Sequence, residues 1–282
     1  MALGMLYLKA AVNAVGPRAR ELPDTVLERS GVEVDRAHLA EYARVCGFGL
    51  TDTLPVTYPH VLAFGQQVEL MAGRSFPLPL PGLVHIANTI TVHRRIEASE
   101  QLDISVHAER FVSHPKGAQV DLVGRIRSGD DEVWTGRSTY LARGAKAPTG
   151  AAEGASAPPG PERSGIEVGG PPAAVWAVDA GTGRRYASVS GDVNPIHLHP
   201  LAAKAFGFPR AIAHGMWTAA RSLAAVEGRL PDAVTYEVTF GRPVLLPSTV
   251  ELRTHDADGI WNLDVRSRDR VHLTGSVRPA AG

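Results

Sequence analysis

The chain of 282 residues contains one cysteine, Cys46, which excludes an internal disulfide framework and a thiolate-based metal cluster. A single thiol fits a reducing compartment, so a cytoplasmic location is expected. Charge of one sign is lacking as well: 29 basic and 29 acidic side chains give a formal net charge of zero. A protein that grips a phosphate backbone carries a basic excess, so nucleic acid is not an expected partner. There is no acidic tail and no polybasic block. No apolar run approaches the roughly 20 residues that span a bilayer, so no membrane span is expected. Met1 to Ala14 is apolar, but its one charge, Lys9, falls inside the run with nothing basic before it. That is not the layout of a secretory signal, and the segment reads as a packed terminal element. What remains is a neutral globular chain, 44% hydrophobic, with enough apolar residues for a sizeable core.

The composition shifts sharply between Gly144 and Pro172, where 13 of 29 residues are Gly or Pro. Such a segment buries too little surface to offset its ordering entropy, so 144–172 is expected to link two parts, 1–143 and 173–282. The two parts resemble each other. Tyr42 to Gly47 (YARVCG) matches Tyr186 to Gly191 (YASVSG) at an offset of 144, and Ile86 to Ile96 lies over Val234 to Val244 at an offset of 148. Two matches in the same order on either side of a linker indicate a duplication. Ile86, Ile90 and Val92, like Val234, Val238 and Phe240, fall on even spacings that suggest a half-buried strand. Further strands are predicted at 102–107, 118–126 and 133–141, and at 250–254, 261–265 and 271–277, joined by turns into antiparallel meanders. Helices precede the strands in each part. One is predicted from an N-cap at Thr182 through Tyr186 and closed by Gly191; a longer one runs from His214-Gly215 through Val226 and stops at Gly228. The expected class is α+β, helices laid on antiparallel sheet.

Chemistry concentrates in residues 186–216. Asp192, Asn194, His197, His199 and His214 lie within 23 residues, interleaved with Gly191, Pro195, Pro200 and Gly215. Titratable groups on rigid loops framed by helices suit acid–base work, and Asp192 stands five residues before His197 across a stiff Asn-Pro. A His-x-His with a third His nearby also raises a metal site, but the Asn-Pro and the absence of nearby carboxylates to support such ligands argue against it.

The stretch from Tyr186 to His197 (YASVSGDVNPIH), followed by Ala203, resembles the hydratase 2 signature of the MaoC-like family. The family's second block is present as Ala213-His214-Gly215-Met216. The resemblance covers most of the chain, because the family includes tandem forms; the overall character is similar to that of tandem actinobacterial 3-hydroxyacyl-thioester dehydratases. It implies a double hot-dog fold, two units each with an antiparallel sheet wrapped on a central helix. It also implies reversible hydration of trans-2-enoyl thioesters to (R)-3-hydroxyacyl thioesters, with Asp192 and His197 as the catalytic pair. No metal or redox cofactor is implied; the acyl group rides on coenzyme A or acyl carrier protein, and homodimer assembly is left open. His199 stands where the family commonly has Asp, which puts the local hydrogen bonding of the loop in doubt.

The reaction needs one group to take a proton from water and one to deliver a proton to the α-carbon, roles a carboxylate and an imidazole can share. Charge developing on the thioester oxygen calls for a donor, and Gly215 N–H at the start of the long helix is the candidate. Asn194 is assigned to shaping the loop or orienting the water, since an amide does not titrate here. His214 is read as orienting a partner or capping the helix. At offset 144, Phe48 and Thr53 take the places of Asp192 and His197, so one active site per chain is expected. The first part would then serve as structural partner and acyl pocket, with Phe48, Leu50, Leu54, Tyr58, Val61, Leu62, Phe64, Leu70 and Met71 as lining candidates. Cys46, opposite Ser190, reads as a small buried residue. Arg184, Arg185, Lys204, Arg210 and Arg242 lie close enough in sequence to meet a phosphate or an acidic carrier. Two alternatives stay open: a hot-dog thioesterase and a non-catalytic acyl-binding subunit.

Overall fold

The structure, a computed structural model, describes residues 3–13, 18–147 and 168–280. Most of segment 144–172 lies outside the described residues, and its expected linker character with it. Helix α1 (Leu3–Asn13) comes first. The first half then runs β1 (Leu27–Val32), α2 (Arg36–Cys46), α3 (Tyr58–Ala72), β2 (Leu83–Val92), β3 (Leu102–His114), β4 (Gly117–Ser128) and β5 (Asp131–Arg143). The second half runs β6 (Ala174–Val178), α4 (Thr182–Ser190), α5 (Pro195–Leu198), α6 (Pro200–Ala205) and α7 (Gly215–Ala224). It ends with β7 (Val234–Phe240), β8 (Ser248–Ala257), β9 (Ile260–Ser267) and β10 (Arg270–Pro279).

All ten strands form one antiparallel sheet in the order β1-β3-β4-β5-β2-β7-β10-β9-β8-β6. Counted from either edge, each half uses its strands in the same order: first, third, fourth, fifth, second. The halves join through β2 and β7, where Thr89 faces Glu237. These are the residues that the offset of 148 equates, so a pseudo-twofold axis passes through this pair. Ile90 faces Tyr236 and Asn88 faces Val238 in consequence. Ile90, Tyr236 and Val238 are all buried. Asn88, not Ile86, takes the inward place beside them, and its amide donates to Ser138 Oγ at 2.9 Å.

Six of the observed strands are the predicted ones lengthened at their ends. The edge strands β1 and β6 were not anticipated: LERSGV is almost wholly exposed and AVWAV half so, which leaves little pattern to read. The start of α4 and the end of α7 also differ. Thr182 is not the N-cap of α4 but its first residue; Gly181 precedes it, and Asp179 Oδ1 satisfies the Gly181 N–H at 2.6 Å. The helix runs through Tyr186 to Ser190, and Gly191 closes it at φ 73°, as expected. Gly47 closes α2 the same way at φ 83°, a left-handed conformation that glycine alone adopts without a Cβ penalty. Helix α7 stops at Ala224, and Gly228 lies within a separate 3₁₀ turn, Glu227–Arg229, so it is not the stop signal.

One apolar core runs through both halves. The duplicated tyrosines meet in it, Tyr42 and Tyr186 with ring centroids 6.4 Å apart, where α2 packs on α4. Trp217 Nε1 donates across the join to Val45 O at 3.1 Å. A second core lies under α1, where Leu6 and Ala10 pack with Phe64, Val68 and Met71 of α3. Cys46 is fully buried, and burial pushes its thiol up to about 12, away from any nucleophilic role. Among the described residues no helix is long and apolar enough to cross a membrane.

Candidate active site

The second half spends the segment between α4 and α7 on a compact loop. Gly191 ends α4, Asp192 follows, and Asn194 caps α5: its Oδ1 accepts the Ile196 N–H at 3.3 Å while Pro195 fills the first helical position. That single turn carries His197. It packs so closely on α4 that a Cβ at Gly183 would sit on the His197 carbonyl. Ile212 N–H donates back to Ile196 O at 3.2 Å, and Ala213 N–H to Val244 O at 2.9 Å, which places His214 and Gly215 beside the loop.

Asp192, His197 and His214 come together. The two imidazoles stack with centroids 3.7 Å apart. His197 Nδ1 lies 2.8 Å from Ile212 O, so that nitrogen carries the proton and Nε2 keeps a lone pair. His214 Nε2 lies 2.9 Å from Asp192 O, so His214 donates there, and it is 3.8 Å from Asp192 Oδ2. Burial holds both imidazoles below their ordinary value, against the pull of Asp192; for His214, with His197 alongside, it reaches about 3. Burial favours the neutral form of Asp192, but the neighbouring imidazoles and two hydrogen bonds outweigh it, and the carboxyl is held below its usual range. At neutral pH the site is a carboxylate beside neutral rings.

Asp192 Oδ1 accepts from the Asn194 N–H at 3.2 Å and from the Tyr7 hydroxyl at 2.6 Å. Tyr7 lies on α1, 185 residues away, and nothing in the sequence singled it out. His60 and His85 were also missed. Both face the same cavity, and burial lowers them to about 4 and about 3. His85 stacks on Tyr140 at 4.7 Å and meets Phe240 at 4.9 Å.

The cavity beside the pair measures about 270 Å³. Gly215, the first residue of α7, lies on its wall, where its N–H has no intrahelical acceptor. Of the residues proposed to line it, Val61, Phe64 and Met71 do so. Leu50 is 62% exposed, Phe48, Leu54 and Tyr58 belong to the main core with Leu62 against it, and Leu70 is in the second core. Leu80 and Leu83 join them from the first half, and Phe206, Phe208, Ile212, Met216, Phe240 and Val244 line it from the second. Among the basic candidates only Arg242 borders the cavity, joined by Arg143; both are exposed. Arg185 pairs with Asp179 at 2.7 Å, Arg210 donates to Pro247 O at 3.1 Å and Arg184 to Leu198 O at 3.4 Å.

Ligand atoms of Asp192, His197 and His214 lie within 4.8 Å of one another, a donor set that a cation could use. His199 does not join them: it caps α6, its Nδ1 accepting from Leu201 N–H at 3.2 Å. His197 Nδ1 and His214 Nε2 are committed to backbone carbonyls, which leaves His197 Nε2 and His214 Nδ1. His214 Nδ1 is buried and without a partner.

Known proteins share both sequence and shape with this chain. Residues 173–273 match the MaoC-like domain. The chain is 40% identical over 275 residues to 3-hydroxyacyl-thioester dehydratase X of Mycobacterium tuberculosis, covering 96% of each. It superposes on a crystal structure of HtdX from the same organism with a TM-score of 0.79 and 38% identity, covering 91% of this chain and 100% of the other. It also superposes on a conserved hypothetical M. tuberculosis protein with a double hot-dog fold, at a TM-score of 0.53, 15% identity and coverage of 90% and 94%. That last likeness bears on fold alone. The strand order repeated in each half is the double hot-dog arrangement, and the chain belongs to the MaoC-like dehydratase family.

Proposed function

We propose that the protein interconverts trans-2-enoyl thioesters and (R)-3-hydroxyacyl thioesters in fatty-acyl metabolism, through one Asp192/His197 site per chain. The observation that carries this is a carboxylate and an unprotonated imidazole nitrogen beside one apolar cavity, at the start of α7. Two acceptors of this kind hold both hydrogens of one water and leave an oxygen lone pair for C3. As the C–O bond forms at C3, one acceptor takes a water proton, and the proton gained by the pair is passed on to C2, which leaves both groups as they began. Gly215 N–H faces the charge that gathers on the thioester oxygen, where the dipole of α7 adds to it. Dehydration runs the same steps backwards. His214 braces the pair by stacking on His197 and donating to Asp192 O.

Substrate would enter past Arg143 and Arg242, exposed cations suited to the phosphates of coenzyme A or an acidic carrier protein, with the acyl chain laid along α3. The proposed reaction takes place in the cytoplasm and draws on no metal or redox cofactor. Loss of enoyl absorbance from crotonyl-CoA and longer trans-2-enoyl-CoA substrates tests the reading, with and without a chelator. Turnover that survives chelation is expected. Release of free thiol without enoyl consumption would make the protein a thioesterase, and tight acyl-CoA binding with no turnover would make it a binding subunit.

A further inference from the structure

Asp192 has two carboxylate oxygens, and they are not alike. Oδ1 is occupied twice, by the Asn194 N–H and by the Tyr7 hydroxyl at 2.6 Å. Oδ2 lies on the side of His214 Nε2, 3.8 Å away. The Tyr7 ring reaches this point from α1, which stands outside the duplicated strand pattern. Leu6 and Ala10 anchor that helix in the second core against Phe64, Val68 and Met71 on α3. Tyr7 also borders the cavity. The helix therefore joins the apolar wall of the pocket to the acid of the other half.

We propose that Tyr7 is a positioning residue for the reaction: its hydroxyl saturates Oδ1, fixes the carboxylate rotamer and leaves Oδ2 to hold the reacting water. The inference rests on the hydration reading above. A charge-assisted O–H···O bond of this length is among the stronger kinds in proteins. The phenol stays protonated throughout, because burial and the adjacent carboxylate both raise it. The other titrating groups around Asp192 are Tyr140 on β5, Tyr186 on α4, His197, His214, and the more distant His60 on α3 and His85 on β2. None of these donates to Oδ1, so Tyr7 is the side-chain donor there among the described residues.

The test is Tyr7→Phe, which keeps the ring and removes the donor. The expected result is a kcat lower by about ten- to a hundred-fold with KM nearly unchanged, as for other groups that orient a reacting residue. Losing a hydrogen bond to the charged form raises the carboxyl pKa, so the acid limb of kcat/KM moves up by about one to two pH units. A fluorinated tyrosine at position 7, a stronger donor of nearly the same shape, moves that limb the other way. An unmoved limb in both variants, or a loss confined to KM, overturns the proposal; if Tyr7→Phe does not fold, the fluorinated variant decides alone. Turnover by the wild type tests the hydration reading itself, and only the difference between variant and wild type tests Tyr7. Urea unfolding reads the bond without turnover: the Tyr7→Phe deficit is present near pH 7 and shrinks as pH falls through the Asp192 titration. A deficit independent of pH also overturns it.

Discussion

The two halves share a strand order and a pair of tyrosines, yet they use the segment after their first long helix in opposite ways. In the first half Phe48 turns into the core and stacks on Tyr42 at 6.2 Å, while Thr53 bonds Glu97 Oε1 at 3.0 Å. In the second half the equivalent positions are Asp192 and His197, held at a cavity. The central helices differ correspondingly. Helix α3 is buried on most of its faces over 15 residues and forms the wall, whereas the 10-residue α7 presents its N-terminus. The carboxylate–imidazole pair and the free helix start come from one copy, while both copies contribute apolar lining to the cavity.

Asp192→Asn and His197→Ala should break this division most severely, each lowering kcat by about 10²–10⁴-fold. Steady-state rates on an enoyl-CoA check this, with circular dichroism confirming the fold. The pH dependence follows from the same pair. Both groups are held below their ordinary values, so carboxylate and neutral imidazole coexist above those lowered values and are lost only as pH falls through them. The kcat/KM profile should be flat across about pH 6–8 and fall on the acid side. A fall on raising the pH through 7 would contradict the assignment.

The N-terminus of α7 comes next. His214 sits at φ −64° and ψ 138°, a conformation that tolerates a following proline, and Gly215 occupies the first helical position, where proline suits the backbone. Gly215→Pro thus removes the N–H with little change to the helix start. A new Cβ there would lie 3.0 Å from the Phe240 ring, which must give slightly. A kcat lower by about 10²–10³-fold is expected if this amide meets the developing oxyanion. Proline at Tyr58, the first position of α3, should leave the proton chemistry intact but lower stability, because Thr57 is helical, the Tyr58 N–H donates to Pro55 O at 2.8 Å and a buried aromatic is lost.

Why the Asp192/His197 side of the site was readable and the other side was not follows from chain distance. Asp192, Asn194, His197 and Gly215 occupy 24 consecutive positions, so one motif brings the loop and the start of α7 into view. Tyr7, His60, His85 and Tyr140 reach the same cavity from four separate elements, and no local pattern marks a residue whose partner is 185 positions away. The duplicated β2 and β7 were visible because each alternates through a buried face, whereas the edge strands β1 and β6 bury too little to alternate. The lining of the pocket was half legible. Val61, Phe64 and Met71 look no different in sequence from Leu54 or Leu70; all five are core residues, and only packing shows which of them also border the cavity.

The difference in facing gives a paired experiment on α3. Val61 belongs to the main core and also borders the cavity, whereas its neighbour Leu62 packs half-buried against that core away from the cavity. Val61→Phe should shorten the container and lower kcat/KM for long enoyl chains relative to crotonyl-CoA by about 10–200-fold, the range that pocket size can discriminate. Leu62→Phe should leave the chain-length profile unchanged. A shift in both profiles would mean that α3 merely supports the fold.

The smallest effect concerns the cations at the mouth, and it shows whether the two halves also share recognition of the carrier. Arg143 ends the last strand of the first half and Arg242 follows β7 in the second, so each half contributes one. Both are exposed, where an ion pair is screened and each contact changes affinity by only about two- to five-fold. Arg143→Ala and Arg242→Ala should each raise KM for an enoyl-CoA by about that factor, and raising the salt should erase the difference. The same enoyl group on N-acetylcysteamine has no phosphates, so its KM should not respond to either substitution. Equal losses on both thioesters would mean that these arginines shape the entrance rather than bind charge, and recognition would then rest on the acyl chain along α3.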